Sequence, residues 1–228
     1  GVSLKTDRPI SDIIGESFPI SAKLGLLAAL VAIVAGVVLG SIAALMRNKW
    51  PDRIIVFFVT LITSMPSFVI ATLLLYFFCI KLGVVQAFNS GSNMVFLPVL
   101  SLSLSPMAYI TRLTKTSMLD AVGQDYIRTA KAKGVSQAKV IFVHGLRNAL
   151  IPVITYVGPM IGGILTGSMV IESIFNIGGL GSKFVSCITN RDYTMIMATT
   201  LFLAVIMVFA NLITDIVYKL VDPRISLD

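Results

Sequence analysis

Apolar runs separated by short polar stretches organise the whole chain. They lie at about residues 17–46, 54–80, 94–118, 148–171 and 193–220. Each reaches the ~20 residues that a helix rising 1.5 Å per residue needs to cross a hydrocarbon core of about 30 Å. The pattern therefore predicts an all-α membrane protein with five transmembrane helices, preceded by a polar segment at residues 1–16. Ser17 and Pro19 read as the start of the first helix, a cap followed by a proline suited to the first turn. The stretch RNKWPDR, residues 47–53, ends that helix with charges and an interfacial Trp50. Pro66 predicts a kink in the second helix, because proline removes a backbone donor and clashes with the preceding turn. A cavity-lining helix and a tolerated packing kink fit that proline equally. Asp222 and Pro223 are expected to stop the last helix.

Three glycine pairs, Gly36 with Gly40, Gly158 with Gly162, and Gly163 with Gly167, carry the GxxxG spacing that lets another helix backbone approach closely. Tight packing is the simpler reading, and a helix that bends and slides is the alternative. Glu172 to Asp192 reads as a long loop, with consecutive glycines in NIGGLG free to take positive φ. Glu172 and Asp215 are the ionisable groups nearest the apolar runs, and a carboxylate in a membrane helix is a candidate for substrate contact or pairing. Both fall near helix ends, so interfacial placement is expected, with Glu172 at the outer mouth.

Between the third and fourth runs, residues 125–147 form a basic elbow. Asp125 is suited to cap a short helix, YIRTAKAK, whose last turn carries Lys131 and Lys133 at the negative end of the dipole. Gly134 follows in the position that calls for a left-handed residue. Ser136 is suited to cap a second helix running toward the membrane. Ile127, Ala130 and Val135 are expected to make a small apolar face flanked by positive charge. A segment of this kind fits three uses: resting on anionic lipid, binding as a partner helix, or docking into a cleft of a soluble subunit.

Composition and charge narrow the class. Hydrophobic residues make up 56% and charged residues 13% of the sequence, with a mean hydropathy of +0.92, which excludes an ordinary soluble domain. The net charge of +7 sits in short loops and not on one soluble face, so it describes topology and not nucleic-acid binding. Of the 18 basic residues, 12 fall on the face that holds residues 47–53 and 125–147, and 6 on the other. The richer face is expected to be cytoplasmic, which puts residue 1 outside. Such a chain reads as the C-terminal portion of a protein with one further helix upstream. Cys79 and Cys187 are isolated, and His144 is the only histidine, so neither a metal site nor a disulfide is expected. No P-loop, HExxH or GxSxG occurs, which leaves no catalytic residue to nominate and argues against a hydrolase. An ion-coupled transporter would need ionisable groups at mid-depth, which the runs almost lack.

The elbow resembles the cytoplasmic loop of ATP-binding cassette (ABC) importer permeases, whose signature is EAA, three residues, G, nine residues, IxLP. Arg128, Thr129 and Ala130 stand at EAA, Gly134 at the G, and His144 to Arg147 at IxLP. The departures resemble the peptide-permease branch. SFPISAKLG (17–25), GPMIGGILTGSMVIE (158–172), NRDY (190–193) and DPRI (222–225) likewise resemble the oligopeptide-permease B-type subunit. The resemblance implies six helices in the family, the first absent here, and a bacterial cytoplasmic-membrane location. It implies a second, C-type permease subunit, two cytoplasmic ATPase subunits using ATP and Mg, and an extracytoplasmic solute-binding protein. The chain itself would bind no cofactor and would do no covalent chemistry. Asp125, Tyr126, Arg128, Thr129, Ala130, Lys131, Lys133, Gly134 and Val135 would couple to the ATPases. Pro66, Gly158, Gly162, Gly167 and Glu172 would serve translocation or helix packing. Oligopeptides are the expected cargo, with dipeptides, nickel, glutathione or haem as alternatives.

Overall fold

The computed structural model describes residues 1–84, 95–134, 145–165 and 169–221. The helices among these are α1 (Ile10–Leu45), α2 (Trp50–Ser64), α3 (Ser67–Leu75) running on into a π-helical turn (Tyr76–Lys81), α4 (Phe96–Val122), α5 (Asp125–Ala132), α6 (Leu146–Leu165), α7 (Met169–Ile174), α8 (Leu180–Thr189) and α9 (Tyr193–Val221). α1, α4 and residues 193–216 of α9 are each long and apolar enough to cross a membrane. α2 and α3 meet that test only together, and α6 carries a shorter apolar stretch at Ala149–Ile164. Five apolar segments thus stand where five spans are expected, three of them as continuous long helices.

α1 begins at Ile10, with Pro9 before it, and not at Ser17. Ser17 lies inside the helix and donates to the Ile13 carbonyl, and Pro19 is an interior proline. At 36 residues, α1 is about 54 Å long, well over the bilayer core. Its buried side is a seam of small residues at every fourth position: Ala28, Ala32, Gly36, Gly40 and Ala44. α4 fills that seam. A Cβ on Gly36 would lie 2.7 Å from Ile110 Cγ2, and one on Gly40 would lie 2.6 Å from both the Thr111 carbonyl oxygen and Thr114 Cβ. Residue numbers rise together along both helices, so α1 and α4 run parallel.

α6 runs the other way. Ala149 near its start packs with Ala44 and Met118, whereas Val153, Met160 and Ile164 join Ala29, Ala32 and Ile110 in the central core. α9 is antiparallel to α6 in turn, because Gly158 meets Thr214 and Gly162 meets Ala210. A third cluster, Leu24, Ala28, Ala71, Leu97, Val99, Ile171, Phe175 and Ile177, closes the opposite end. The alternation of direction sends residues 1–9 and 172–192 to one end, and residues 47–53 and the start of α5 to the other.

The expected kink at Pro66 is a full break: α2 and α3 meet at 106°. The residue before a proline is pushed out of the helical region, and Met65 is extended at φ −105°, ψ 137°. Pro66 itself has ψ 142°, so two successive residues leave the helical ladder. The long loop expected from Glu172 to Asp192 instead contains α8, with α7 just before it. Its described glycines are not left-handed either; the residues with positive φ there are Asn176, at 51°, and Arg191, at 56°.

Candidate coupling element and helix-end network

α5 follows α4 after only Gly123 and Gln124. Its first turn starts at Asp125, the Thr129 hydroxyl returns to the Asp125 carbonyl, and the Lys133 N–H closes onto Thr129. Gly134 then takes φ +76°, which a β-carbon would strain by about 1–2 kcal/mol. It is exposed, and a Cβ there would meet nothing within 4 Å. The glycine is therefore required by backbone direction and not by packing within this chain. Ile127 is 1% exposed. Within the apolar face expected of Ile127, Ala130 and Val135, this residue anchors α5 to its own chain. Thr129 and Lys133 are exposed. Tyr126, Arg128, Ala130 and Lys131 lie on α5 by backbone position. Val135 and the second half of the elbow, 135–144, fall outside the described residues, as does Gly167.

Just above α5 on α4, Lys115 donates to the Asp52 carboxylate at the start of α2. Asp52 is buried, and its other oxygen accepts the Asn48 N–H at 3.0 Å, in the turn between α1 and α2. One carboxylate thus ties the α1–α2 turn to the helix that leads into α5. Three residues earlier on α4, Arg112 Nη2 donates to Thr63 Oγ1 at 3.1 Å, beside the Pro66 break.

At the opposite end, Glu172 has a role that its sequence position does not disclose. It is 4% exposed and not an open contact at the outer mouth. Its Oε1 accepts the Ser21 hydroxyl of α1 at 2.8 Å, and Oε2 accepts the Ser182 N–H at 3.1 Å. Ser21 Oγ in turn accepts the Leu180 N–H at 2.8 Å. Leu180, Gly181 and Ser182 are the first three residues of α8, whose amides have no partner inside the helix. A carboxylate on α7 and a hydroxyl on α1 supply what Gly179, at the N-cap, cannot. Gly179 is needed for this approach, since a Cβ there would lie 2.4 Å from Glu172 Oε2.

Asp192 makes a second fastening of the same kind. It caps α9 through the Met195 N–H, and it also accepts the Ser3 hydroxyl and the Leu4 N–H from the N-terminal turn. Burial alone would raise its pKa. The donations from Ser3, Met195, Leu4 and Thr194 outweigh burial and hold the carboxyl below its ordinary value. Residues 1–9 are therefore pinned to the start of α9 and are not a free polar leader. Asp215 is exposed on α9.

Of the packing residues named from the sequence, Gly158 makes the tightest approach: a Cβ there would fall 1.7 Å from Thr214 Oγ1, whereas at Gly162 it would lie 3.4 Å from Ala210 Cβ. Sequence reading did not single out Asp52, Lys115, Ser21 or Asp192. The alanines that extend the Gly36–Gly40 spacing were visible as a period of four but carried no motif.

Comparison with known proteins agrees with this architecture. The family described as "Binding-protein-dependent transport system inner membrane component" matches residues 36–227. The dipeptide transport system permease protein DppB of Bacillus subtilis (strain 168) is 47% identical over 225 residues, 98% of this chain and 73% of that protein. The oligopeptide transport system permease protein OppB of Haemophilus influenzae is 44% identical, over 96% of this chain and 72% of that protein. Among solved structures, an inward-facing form of the MetNI methionine ABC transporter superposes with a TM-score of 0.76 at 13% identity, covering 94% of this chain and 98% of that one. An amino acid ABC transporter superposes with a TM-score of 0.73 at 14% identity, over 92% of this chain and 94% of the other. Multiple apolar helices of alternating direction, a short helix ended by a left-handed glycine on the basic face, and these matches lead to one conclusion: the chain belongs to the family of binding-protein-dependent transport system inner membrane components, multi-pass proteins of bacterial membranes.

Proposed function

We propose that this chain is one permease subunit of an ATP-driven peptide importer and that α5 with Gly134 is the handle by which cytoplasmic ATPase subunits move it. The observation that carries the reading is the continuity from α4 through two residues into α5. A short helix fixed to a long one transmits a rigid-body displacement, whereas a flexible loop absorbs it. The peptide cargo is supported by the relatives, which are named for dipeptide and for oligopeptide transport. A second permease subunit, two ATPases using ATP and Mg, and an extracytoplasmic binding protein complete the assembly in this proposal. The chain contributes half of the path through the membrane and no covalent chemistry.

The test is uptake of labelled peptides by the assembled importer in proteoliposomes, alongside ATP hydrolysis. Gly134→Val should abolish both uptake and substrate-stimulated hydrolysis while membrane insertion stays normal. Full coupled transport by that variant would remove α5 from the mechanism. Parallel uptake of a dipeptide and a pentapeptide decides cargo length. Uptake persisting in vesicles that lack any ATPase subunit would favour an ion-coupled carrier instead.

A further inference from the structure

Arg112 is the charged residue of α4 that lies farthest from its C-terminal end. It is exposed, it lies within the span Phe96–Val122, and among the described residues no carboxylate pairs with it. The nearby cation, Lys115, is neutralised by Asp52. An arginine near a helix end ordinarily extends its side chain toward the closest interface. Arg112 does the opposite. It lies ten residues before the cytoplasmic end of α4, about 15 Å along the axis, and its guanidinium reaches Thr63, which is about 20 Å along α2 from Trp50. The side chain thus points from the basic face into the membrane, in the direction that helix geometry gives every Cα–Cβ bond, toward the N-terminus.

What it reaches is the break between α2 and α3. Thr60, Thr63, Ser64 and Ser67 are exposed there in a segment that is otherwise apolar. Thr63 donates its own hydroxyl hydrogen to the backbone at Val59 and Thr60, which leaves the oxygen to accept from Arg112. Irregular backbone at membrane depth is tolerated where it faces protein or water and not lipid. A guanidinium carries five N–H donors in a planar fork, and among the described residues one of its nitrogens is engaged, by Thr63.

We propose that Arg112, held in place by Thr63 at the α2–α3 break, binds the terminal carboxylate of the transported peptide on its way through the membrane. This rests on the peptide-importer reading above. A carboxylate is the group that a guanidinium fork takes up in two parallel hydrogen bonds, and every unmodified linear peptide ends in one. The contact belongs to the substrate path and is separate from the coupling element.

The experiment is uptake by the complete importer in proteoliposomes, with its binding protein held constant, of one labelled peptide as the free acid and as the C-terminal amide. For the wild type, KM is expected to favour the acid by about tenfold, the scale of a hydrogen bond to a charged group. Arg112→Gln should bring the acid-to-amide ratio near one. Arg112→Lys, which keeps the charge and loses the fork, should fall between. An acid-to-amide ratio in Arg112→Gln equal to the wild-type ratio overturns the proposal. So does an equal loss for both forms, which marks a lipid or folding role. Wild-type importer that moves neither form overturns the peptide reading itself and this inference with it.

Discussion

Replacing Gly158 tests the helix packing at its tightest point. A methyl group there would lie 1.7 Å from Thr214 Oγ1, 2.1 Å from its Cγ2 and 2.3 Å from its Cβ. Thr214 has little freedom to yield. Its hydroxyl donates to the Ala210 carbonyl at 2.7 Å, and rotation about χ1 leaves Cβ where it is. Relief requires the backbones of α6 and α9 to separate, so Gly158→Ala should cost near the top of the range for overpacking, about 3 kcal/mol. Thr214→Gly removes all three obstructing atoms and alone should cost about 1 kcal/mol, a few tenths of it from the lower helix propensity of glycine. If the clash is the cause, the double variant costs about as much as Thr214→Gly alone, a compensating coupling of about 3 kcal/mol. Gly163, on the same helix, is the internal control. A Cβ there meets nothing within 4 Å, and Gly163→Ala should be neutral or up to about 1 kcal/mol stabilising. The assay is denaturant unfolding of the purified permease in detergent, followed by helical signal. Additive effects of the two substitutions would refute the reasoning, as would a Gly163→Ala variant as unstable as Gly158→Ala.

Other consequences follow from the fastenings at the helix ends. Glu172→Ala strips the Ser182 amide of α8 and the Ser21 hydroxyl of α1 of their acceptor and should cost about 2–3 kcal/mol, with exchange of the Ser182 amide accelerating first; unchanged exchange there would argue against the cap. Asp52→Ala should cost about 1–3 kcal/mol by leaving Lys115 without its partner, and Lys115→Met added to it should recover part of the loss, read as a shift in thermal midpoint. The pH response of Asp192 has a definite sign. Its folded pKa is depressed, so its contribution is intact above the ordinary carboxyl value of about 3.9 and is lost as pH falls through the lower folded value. Asp192→Asn should lower the thermal midpoint at pH 6 and flatten its decline between about pH 4 and pH 2; an unaltered slope would count against the carboxylate.

How much of this was legible in the sequence depended on how local each cause is. Gly134 was readable because a left-handed turn after a short basic helix is decided by adjacent residues. The tight spacing at Gly158 was readable too, but its partner Thr214 was not, since spacing names no neighbour. Pro66 announced an interruption, and its size came from the extended Met65 adding a second non-helical residue. The start of α1 was misplaced because Ser17 and Pro19 imitate a cap, while Pro9 sits in polar surroundings that hid the earlier start. α8 was missed for the opposite reason: its N-terminal amides are satisfied by Glu172 and by Ser21, the latter 151 residues before Glu172. No local pattern encodes a cap supplied from that distance.

Small residues at every fourth position give α1 a repeat of about 6 Å, and Ile110, Thr114 and Met118 on α4 recur with the same step. Equal period alone would let the two surfaces match again after a shift of one step. Gly36 and Gly40 forbid it, because such a shift sets the methyl of Ala32 or Ala44 against Ile110 or Thr114, where a Cβ comes within 2.8 Å. The ends add to that choice, through Ser21 with Glu172 and Leu180, and through the Asp52–Lys115 pair beside the turn that follows α1. In mechanical terms α1 is keyed to α4 as a tooth is to its notch, and a shift by one step requires the two helices to part first.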